Sequence, residues 1–194
     1  VEIESVTVND NLMEGTIKVR ENLDLNSKYQ LSIEGFNSKE LSLGKIYDSK
    51  EFADIYTYSG SLGANYYKDK TRFVLWAPTA TEVKLALYGD NSKNYTNGAE
   101  ETIVMNKGEN GTWYVEKLGD LNGEYYNYLV TIDGNINEVT DPYAKAVGVN
   151  GNRGMVVDLA STNPEGWEND IESASERKNE KSEEIKEYAE GEEL

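Results

Sequence analysis

Residues 71–88 read TRFVLWAPTATEVKLALY and decide the fold of this 194-residue chain. The stretch holds two apolar runs, a continuous one over 73–76 and an alternating one over 83–87. Alternation of apolar and polar side chains is typical of a half-buried strand. Pro78 lies between the runs and cannot donate a hydrogen bond to a sheet, so it ends the first strand. We therefore predict two neighbouring strands that open an all-β sandwich.

The composition excludes several classes of function. The chain has 36 acidic and 19 basic residues and a net charge of −17, which argues against nucleic acids and anionic membrane surfaces as partners. It contains neither Cys nor His, so disulfides, thiolate nucleophiles, Ser-His-Asp triads and the usual zinc ligands are absent. We expect no cofactor and no metal. No run of eighteen apolar residues predicts a membrane span.

The spacing of strand and turn signals predicts two β-sandwich-like (immunoglobulin-like) units with a short helix between them. Asp48 or Ser49 can cap this helix, with Glu51 in its first turn. The predicted segments are a small β domain over 1–47 that includes a strand over 41–47, a helical linker over 48–65, a β-sandwich over 66–160, and a link with an acidic tail over 161–194.

Two patterns in the predicted sandwich have competing interpretations. The tyrosine-rich strand over 124–132 could present ligand contacts, but we favour core tyrosines. Residues 133–137 (DGNIN) place oxygens at alternating positions, as a calcium loop would. The sixth position of such a loop is Glu138 rather than Gly, so we favour a hairpin at Asp133-Gly134.

The last residues differ in composition from the rest of the chain. Residues 171–194 contain nine Glu and only four Lys or Arg. Ile185, Tyr188 and Ala189 lie at helical spacing, which permits an exposed helix over about 176–190. The apolar stripe is too thin to bury much surface, so we favour a solvated tail.

Four stretches carry a family resemblance. Residues 73–88 resemble the first strands of the family 48 carbohydrate-binding module of starch and glycogen debranching enzymes. Residues 119–130 (GDLNGEYYNYLV) are similar to the tyrosine-rich strand of that module. Residues 140–159 are similar to the segment through which a type I pullulanase passes from this module to its catalytic barrel, and residues 44–64 resemble the region before the module.

The resemblance implies an accessory role. It places the catalytic carboxylates in a family 13 glycoside hydrolase barrel that lies beyond this chain, so we expect no catalysis. The expected partners are an α-glucan (starch, glycogen or pullulan), bound weakly, and the barrel of the parent enzyme. The alternative is a purely structural, protein-docking sandwich without glucan affinity. An extracellular location is slightly favoured over a cytoplasmic one.

Sugar binding requires exposed aromatic rings, and the aromatic residues of the chain offer several candidates. Tyr95 lies in the polar loop over 90–98, where an aromatic side chain has least structural reason to occur. Tyr88 ends the preceding strand, and Trp113 follows an Asn-Gly turn. We predict Tyr95, Tyr88 and Trp113 as sugar contacts and place Trp76 in the core. Glycogen-binding members of the family carry Trp at positions that correspond to 89–93 and 135–136, where this sequence has none.

The segment after the tyrosine-rich hairpin is the predicted contact with the barrel. We expect it to present apolar side chains to that partner, and the alternative is a closing strand of the sandwich itself. The predicted docking residues are Asp141, Pro142, Tyr143, Val147 and Val149.

Overall fold

Two antiparallel sheets form around the strands predicted within 71–88. The computed structural model describes residues 1–10, 13–90 and 98–167. Its α-helix and its strands, in chain order, are β1 (Ile3–Val8), β2 (Gly15–Val19), β3 (Gln30–Leu31), β4 (Lys39–Glu40), α1 (Lys50–Tyr56), β5 (Gly63–Tyr67), β6 (Lys70–Trp76), β7 (Glu82–Leu87), β8 (Glu101–Val104), β9 (Asn106–Lys107), β10 (Thr112–Leu118), β11 (Tyr125–Ile132), β12 (Asn135–Val139), β13 (Ala146–Val147) and β14 (Gly154–Met155). The chain divides into a unit over Val1–Val157 and a unit that begins at Asp158.

The two main sheets form the predicted all-β sandwich. One sheet has the strand order β5-β6-β10-β9, and the other has the order β13-β14-β11-β7-β8, with β12 paired to β11. The central pairs are β6 with β10 and β7 with β11, both antiparallel. The two strands of 71–88 therefore lie in different sheets, because the turn at Pro78 carries the chain from one layer to the other.

The core consists of aromatic and branched side chains from the inner faces of both sheets. Phe73 of β6 and Tyr126 of β11 are fully buried, and their rings meet edge to face with centroids 5.0 Å apart. Tyr128 and Val130 lie on the same face of β11 and are also buried. The prediction that the tyrosines of this strand belong to the core is confirmed for Tyr126 and Tyr128.

The predicted hairpin at Asp133-Gly134 is also confirmed. These residues join β11 to β12 and both have positive φ angles, of 51° and 75°. A two-residue turn of this kind matches the twist of the paired strands.

The first 47 residues form two small hairpins. Strand β1 pairs with β2, and β3 pairs with β4. Among the described residues of this segment none is buried, and Ile3, Val6 and Val8 are each more than half exposed. The predicted strand over 41–47 is wrong, because Gly44–Ile46 form a 3₁₀ turn instead. The boundaries proposed for the four segments stay predictions.

Helix α1 confirms the predicted short helix and its cap. The Ser49 hydroxyl accepts a hydrogen bond from the Phe52 amide at 3.1 Å, which satisfies one of the free amides of the first turn. None of the described helices is long and apolar enough to cross a membrane.

The second unit is described only over 158–167. It holds a 3₁₀ turn, Leu159–Thr162, in which the Ala160 amide donates to the Asp158 carboxylate at 3.1 Å. The predicted acidic tail and its helical pattern lie outside the described residues.

Candidate functional site

A buried carboxylate fixes the segment that follows β12. Asp141 is 4% exposed. Its Oδ2 accepts hydrogen bonds from the hydroxyls of Tyr126 (2.7 Å) and Tyr128 (3.3 Å), and its Oδ1 accepts one from the Tyr143 amide (2.8 Å). Burial raises the pKa of Asp141 above its ordinary value, against the lowering effect of these bonds. Of the five predicted docking residues, Asp141 therefore acts as an anchor below the surface.

The other docking residues are exposed above this anchor. Pro142, Tyr143, Val147 and Val149 are solvent-exposed, and the last three are each about half exposed. We call residues 141–149 the docking segment. Gly63 lies directly beneath it at a φ of 81°, and a Cβ atom there would lie 2.7 Å from the Tyr143 carbonyl oxygen. The absence of a side chain at Gly63 therefore allows the docking segment to lie close against β5.

Trp76 lies on the outer surface of the sandwich, against helix α1. It is 38% exposed, so the prediction that it belongs to the core is wrong. Its indole N–H donates to the carbonyl of Tyr56 at 2.8 Å and to that of Asn110 at 3.1 Å. The core interpretation failed because a run of four apolar residues does not show which side chain points outward, and α1 supplies a partner for the outer face.

Asn110 completes the attachment of α1 to the sandwich. Its side-chain amide donates to the Ile55 carbonyl at 2.6 Å. The last carbonyls of a helix have no partner within it, so Asn110 and Trp76 satisfy two of those at the end of α1. Gly111 follows with a φ of 77°, and a Cβ atom there would collide with Pro78 and Tyr56. This turn therefore requires glycine to pack closely against the helix.

An open cleft of about 350 Å³ lies where α1, β6 and the docking segment meet. We call it the aromatic cleft, and its aromatic lining residues are Tyr47, Phe52, Tyr56, Tyr58, Trp76 and Tyr143. Phe52 is central, with ring centroids 5.3 Å from Tyr47, 4.8 Å from Tyr56 and 6.3 Å from Trp76. Sequence reasoning missed this cluster, although the aromatic spacing over 47–58 was a signal.

The two predicted sugar contacts that the structure describes, Trp113 and Tyr88, are both buried. Trp113 is 5% exposed, and its indole N–H donates to the Ala77 carbonyl at 3.1 Å. This position argues against the prediction that Trp113 contacts sugar, because stacking needs an accessible ring face. Tyr95 lies outside the described residues, so its predicted role stays a prediction.

Tyr88 is also enclosed. It is 3% exposed, the Arg153 guanidinium lies 3.5 Å from its ring centroid, and its hydroxyl donates to Glu138 at 2.5 Å. Burial raises the pKa of Tyr88 above its ordinary value, and the nearby Glu138 adds to the effect. The arrangement stabilises a neutral phenol inside the protein and argues against the prediction that Tyr88 stacks on sugar.

Metal coordination has no candidate among the described residues, where no cluster of three acidic, Cys or His side chains occurs. The alternating oxygens after Asp133 belong to the hairpin described above. The site therefore consists of the docking segment and the aromatic cleft, which share Tyr143.

One family model matches the central part of the chain. Residues 61–144 match the family model of carbohydrate-binding module 48, the isoamylase N-terminal domain. This region contains strands β5 to β12 of the sandwich.

Several of the matching proteins are pullulanases. The pullulanase of Bacillus subtilis is 36% identical over 118 residues, which cover 61% of this chain and 16% of that protein. The solved pullulanase from Bacillus acidopullulyticus gives a TM-score of 0.67 at 34% identity and covers 79% of this chain and 18% of that one. A pullulanase from Paenibacillus barengoltzii was solved with maltohexaose and alpha-cyclodextrin. It gives a TM-score of 0.58 at 44% identity and covers 63% of this chain and 18% of that one.

The chain thus spans about a sixth of the length of the pullulanases from Bacillus subtilis and Bacillus acidopullulyticus. It resembles the N-terminal, non-catalytic region of a type I pullulanase, including its family 48 carbohydrate-binding module.

The buried carboxylate gives a stability prediction that depends on pH. Because the folded pKa of Asp141 is raised, the folded state holds this proton at pH values where the unfolded chain has lost it. The resulting stabilisation is complete below the ordinary pKa of about 3.9 and is lost as pH rises through the folded pKa. In urea unfolding, the free energy of unfolding of wild type should therefore fall relative to that of Asp141→Asn as pH rises from the ordinary pKa through the folded pKa.

Asp133→Asn is the control for this measurement, because it removes an exposed carboxylate from a turn. If the free energy of unfolding of wild type relative to Asp141→Asn stays constant or grows as pH rises, the raised pKa of Asp141 is contradicted.

Asp141→Ala should lower the free energy of unfolding by about 2–5 kcal/mol, since two tyrosine hydroxyls and one amide lose their acceptor.

Proposed function

We propose that this chain is a non-catalytic accessory module of a pullulanase-type starch and glycogen debranching enzyme. The observation that carries the proposal is the match of residues 61–144 to carbohydrate-binding module 48 within a sandwich that resembles pullulanase N-terminal regions. One solved relative was crystallised with maltohexaose, which supports an α-glucan as the ligand. We propose weak binding of this glucan, without hydrolysis by the chain itself.

A second function, docking to the catalytic barrel of the parent enzyme, is supported by the docking segment. Tyr143, Val147 and Val149 each expose about half of their surface, although the segment is tied to the sandwich by the Asp141 anchor and by the pairing of β13 with β14. Exposed apolar side chains on an ordered segment are typical of interaction surfaces. In this interpretation the module orients and stabilises the barrel.

Affinity electrophoresis tests glucan binding. The charge of −17 drives the chain through a native gel, and a neutral glucan does not move in the field. We expect dissolved amylopectin or pullulan to retard the chain relative to an acidic reference protein, and maltohexaose to restore its mobility. Unchanged mobility at the highest glucan concentration would contradict binding.

Tyr95→Ala in the same gel tests the predicted contribution of the 90–98 loop.

Docking is tested by addition of the chain to a separately produced pullulanase barrel. Because a ligand of the folded state stabilises it, we expect the melting temperature of the barrel to rise by about 2 °C or more. Val147→Asp should remove this rise, since it places a charge in the proposed interface. Ile136→Asp is the matched control, because Ile136 is 64% exposed on β12, outside the docking segment.

No rise with wild type, or an equal rise with Val147→Asp, would contradict docking through this segment. Because the two assays are separate, docking without glucan retardation would identify a purely structural module.

A further inference from the structure

We propose that the aromatic cleft is a binding site for a neutral α-glucan oligosaccharide, with the Trp76 indole as its stacking platform. This inference rests on the glucan-binding part of the proposed function and names the place where that binding occurs. It differs from the site predicted from sequence, which consisted of Tyr95, Tyr88 and Trp113.

The cleft presents aromatic rings that the fold leaves accessible. Trp76 is 38% exposed, Tyr47 is 42% exposed and Tyr143 is 51% exposed. By contrast, Trp113 and Tyr88 are 5% and 3% exposed. A pyranose stacks the C–H groups of its ring on a flat aromatic face, so accessible rings are the first requirement for sugar binding.

The platform is held in place before any ligand arrives. Two hydrogen bonds from the indole N–H, to carbonyls of Tyr56 and Asn110, fix the Trp76 ring from two different elements. Phe52 approaches it edge-on, with an angle of 83° between the ring planes. A side chain already fixed in this way loses little conformational freedom when a ligand binds.

The lining selects an uncharged ligand with hydroxyl groups. None of the residues that line the cleft in the described part of the chain carries a charge. Tyr47, Tyr58 and Tyr143 combine an apolar ring with a hydroxyl, and Thr57 adds another hydroxyl at the lining. Apolar surfaces with a few polar groups are typical of small-molecule sites, and about 350 Å³ is within their usual size.

The charge of the chain agrees with a neutral ligand. At −17 the protein disfavours anionic ligands generally, and the described residues that line the cleft include no carboxylate for a cation. A short maltooligosaccharide satisfies both conditions, because it is uncharged and has one apolar face per glucose ring.

The experiment compares variants of the full chain in native gels that contain amylopectin, with maltohexaose as competitor. We expect Trp76→Ala to weaken the apparent affinity about tenfold or more, as for the central residue of a binding site. Tyr47→Ala should weaken it as well. It removes a ring that is 42% exposed and keeps the hydrogen bonds of Trp76 and Asn110 to α1, and it therefore tests the cleft even if Trp76→Ala destabilises the helix.

Two further variants make the result specific. Tyr67→Ala removes a tyrosine that is 56% exposed on β5 and does not line the cleft. The affinity of this variant for amylopectin should therefore equal that of wild type. Trp76→Phe keeps a ring but loses the indole hydrogen bonds, and it should recover part of the affinity that Trp76→Ala loses. Thermal unfolding of each variant establishes that it is folded.

The outcomes separate this inference from the proposed function. If wild type is retarded and both Trp76→Ala and Tyr47→Ala are retarded equally, the cleft is not the site, although the module still binds glucan. If wild type itself is not retarded, glucan binding and the cleft site both fail. If Tyr67→Ala weakens binding as much as Tyr47→Ala, the effect is not specific to the cleft and the inference is overturned.

Discussion

The hydrogen bonds to the Asp141 carboxylate are the constraint on which the functional surface depends. The fully buried Tyr126 and Tyr128 would each leave a hydroxyl without an acceptor if this carboxylate were absent. The third bond, from the Tyr143 amide, turns the chain out of the sandwich and places the Tyr143 ring at its surface. One buried carboxyl group therefore connects the core to both the docking segment and the aromatic cleft.

The attachment of α1 to the sandwich is the second constraint on the functional surface. Alone, a helix of seven residues would be marginal in water. Here the carbonyls at its end accept hydrogen bonds from Asn110 and Trp76 of the sandwich. The helix lies against the end of β6 and brings Phe52 beside Trp76. The groups that fix the helix thus also form one wall of the cleft, so loss of either contact would alter the shape of the site.

Local features of the fold were predictable from sequence, whereas the surface was not. Ser49 caps α1 and the Asp133 turn forms a hairpin because both depend on a few adjacent residues. The burial of Tyr88 depends on Arg153 and Glu138, which are far away in sequence and give no local signal. For the same reason the cleft was missed, since its rings come from separate segments. The alternation that revealed the core says nothing about which outer faces a helix will cover.

A nuclear magnetic resonance titration of the ¹⁵N-labelled chain with maltohexaose tests the central claim most directly, that the chain is a glucan-binding accessory module with its site in the aromatic cleft. Each of the three Trp residues gives its own indole N–H signal, and Trp76→Phe assigns the one of interest. The account predicts a saturable shift of the Trp76 signal, while the signal of the buried Trp113 stays in place. A titration that moves neither the Trp76 signal nor the amides around the cleft would contradict it.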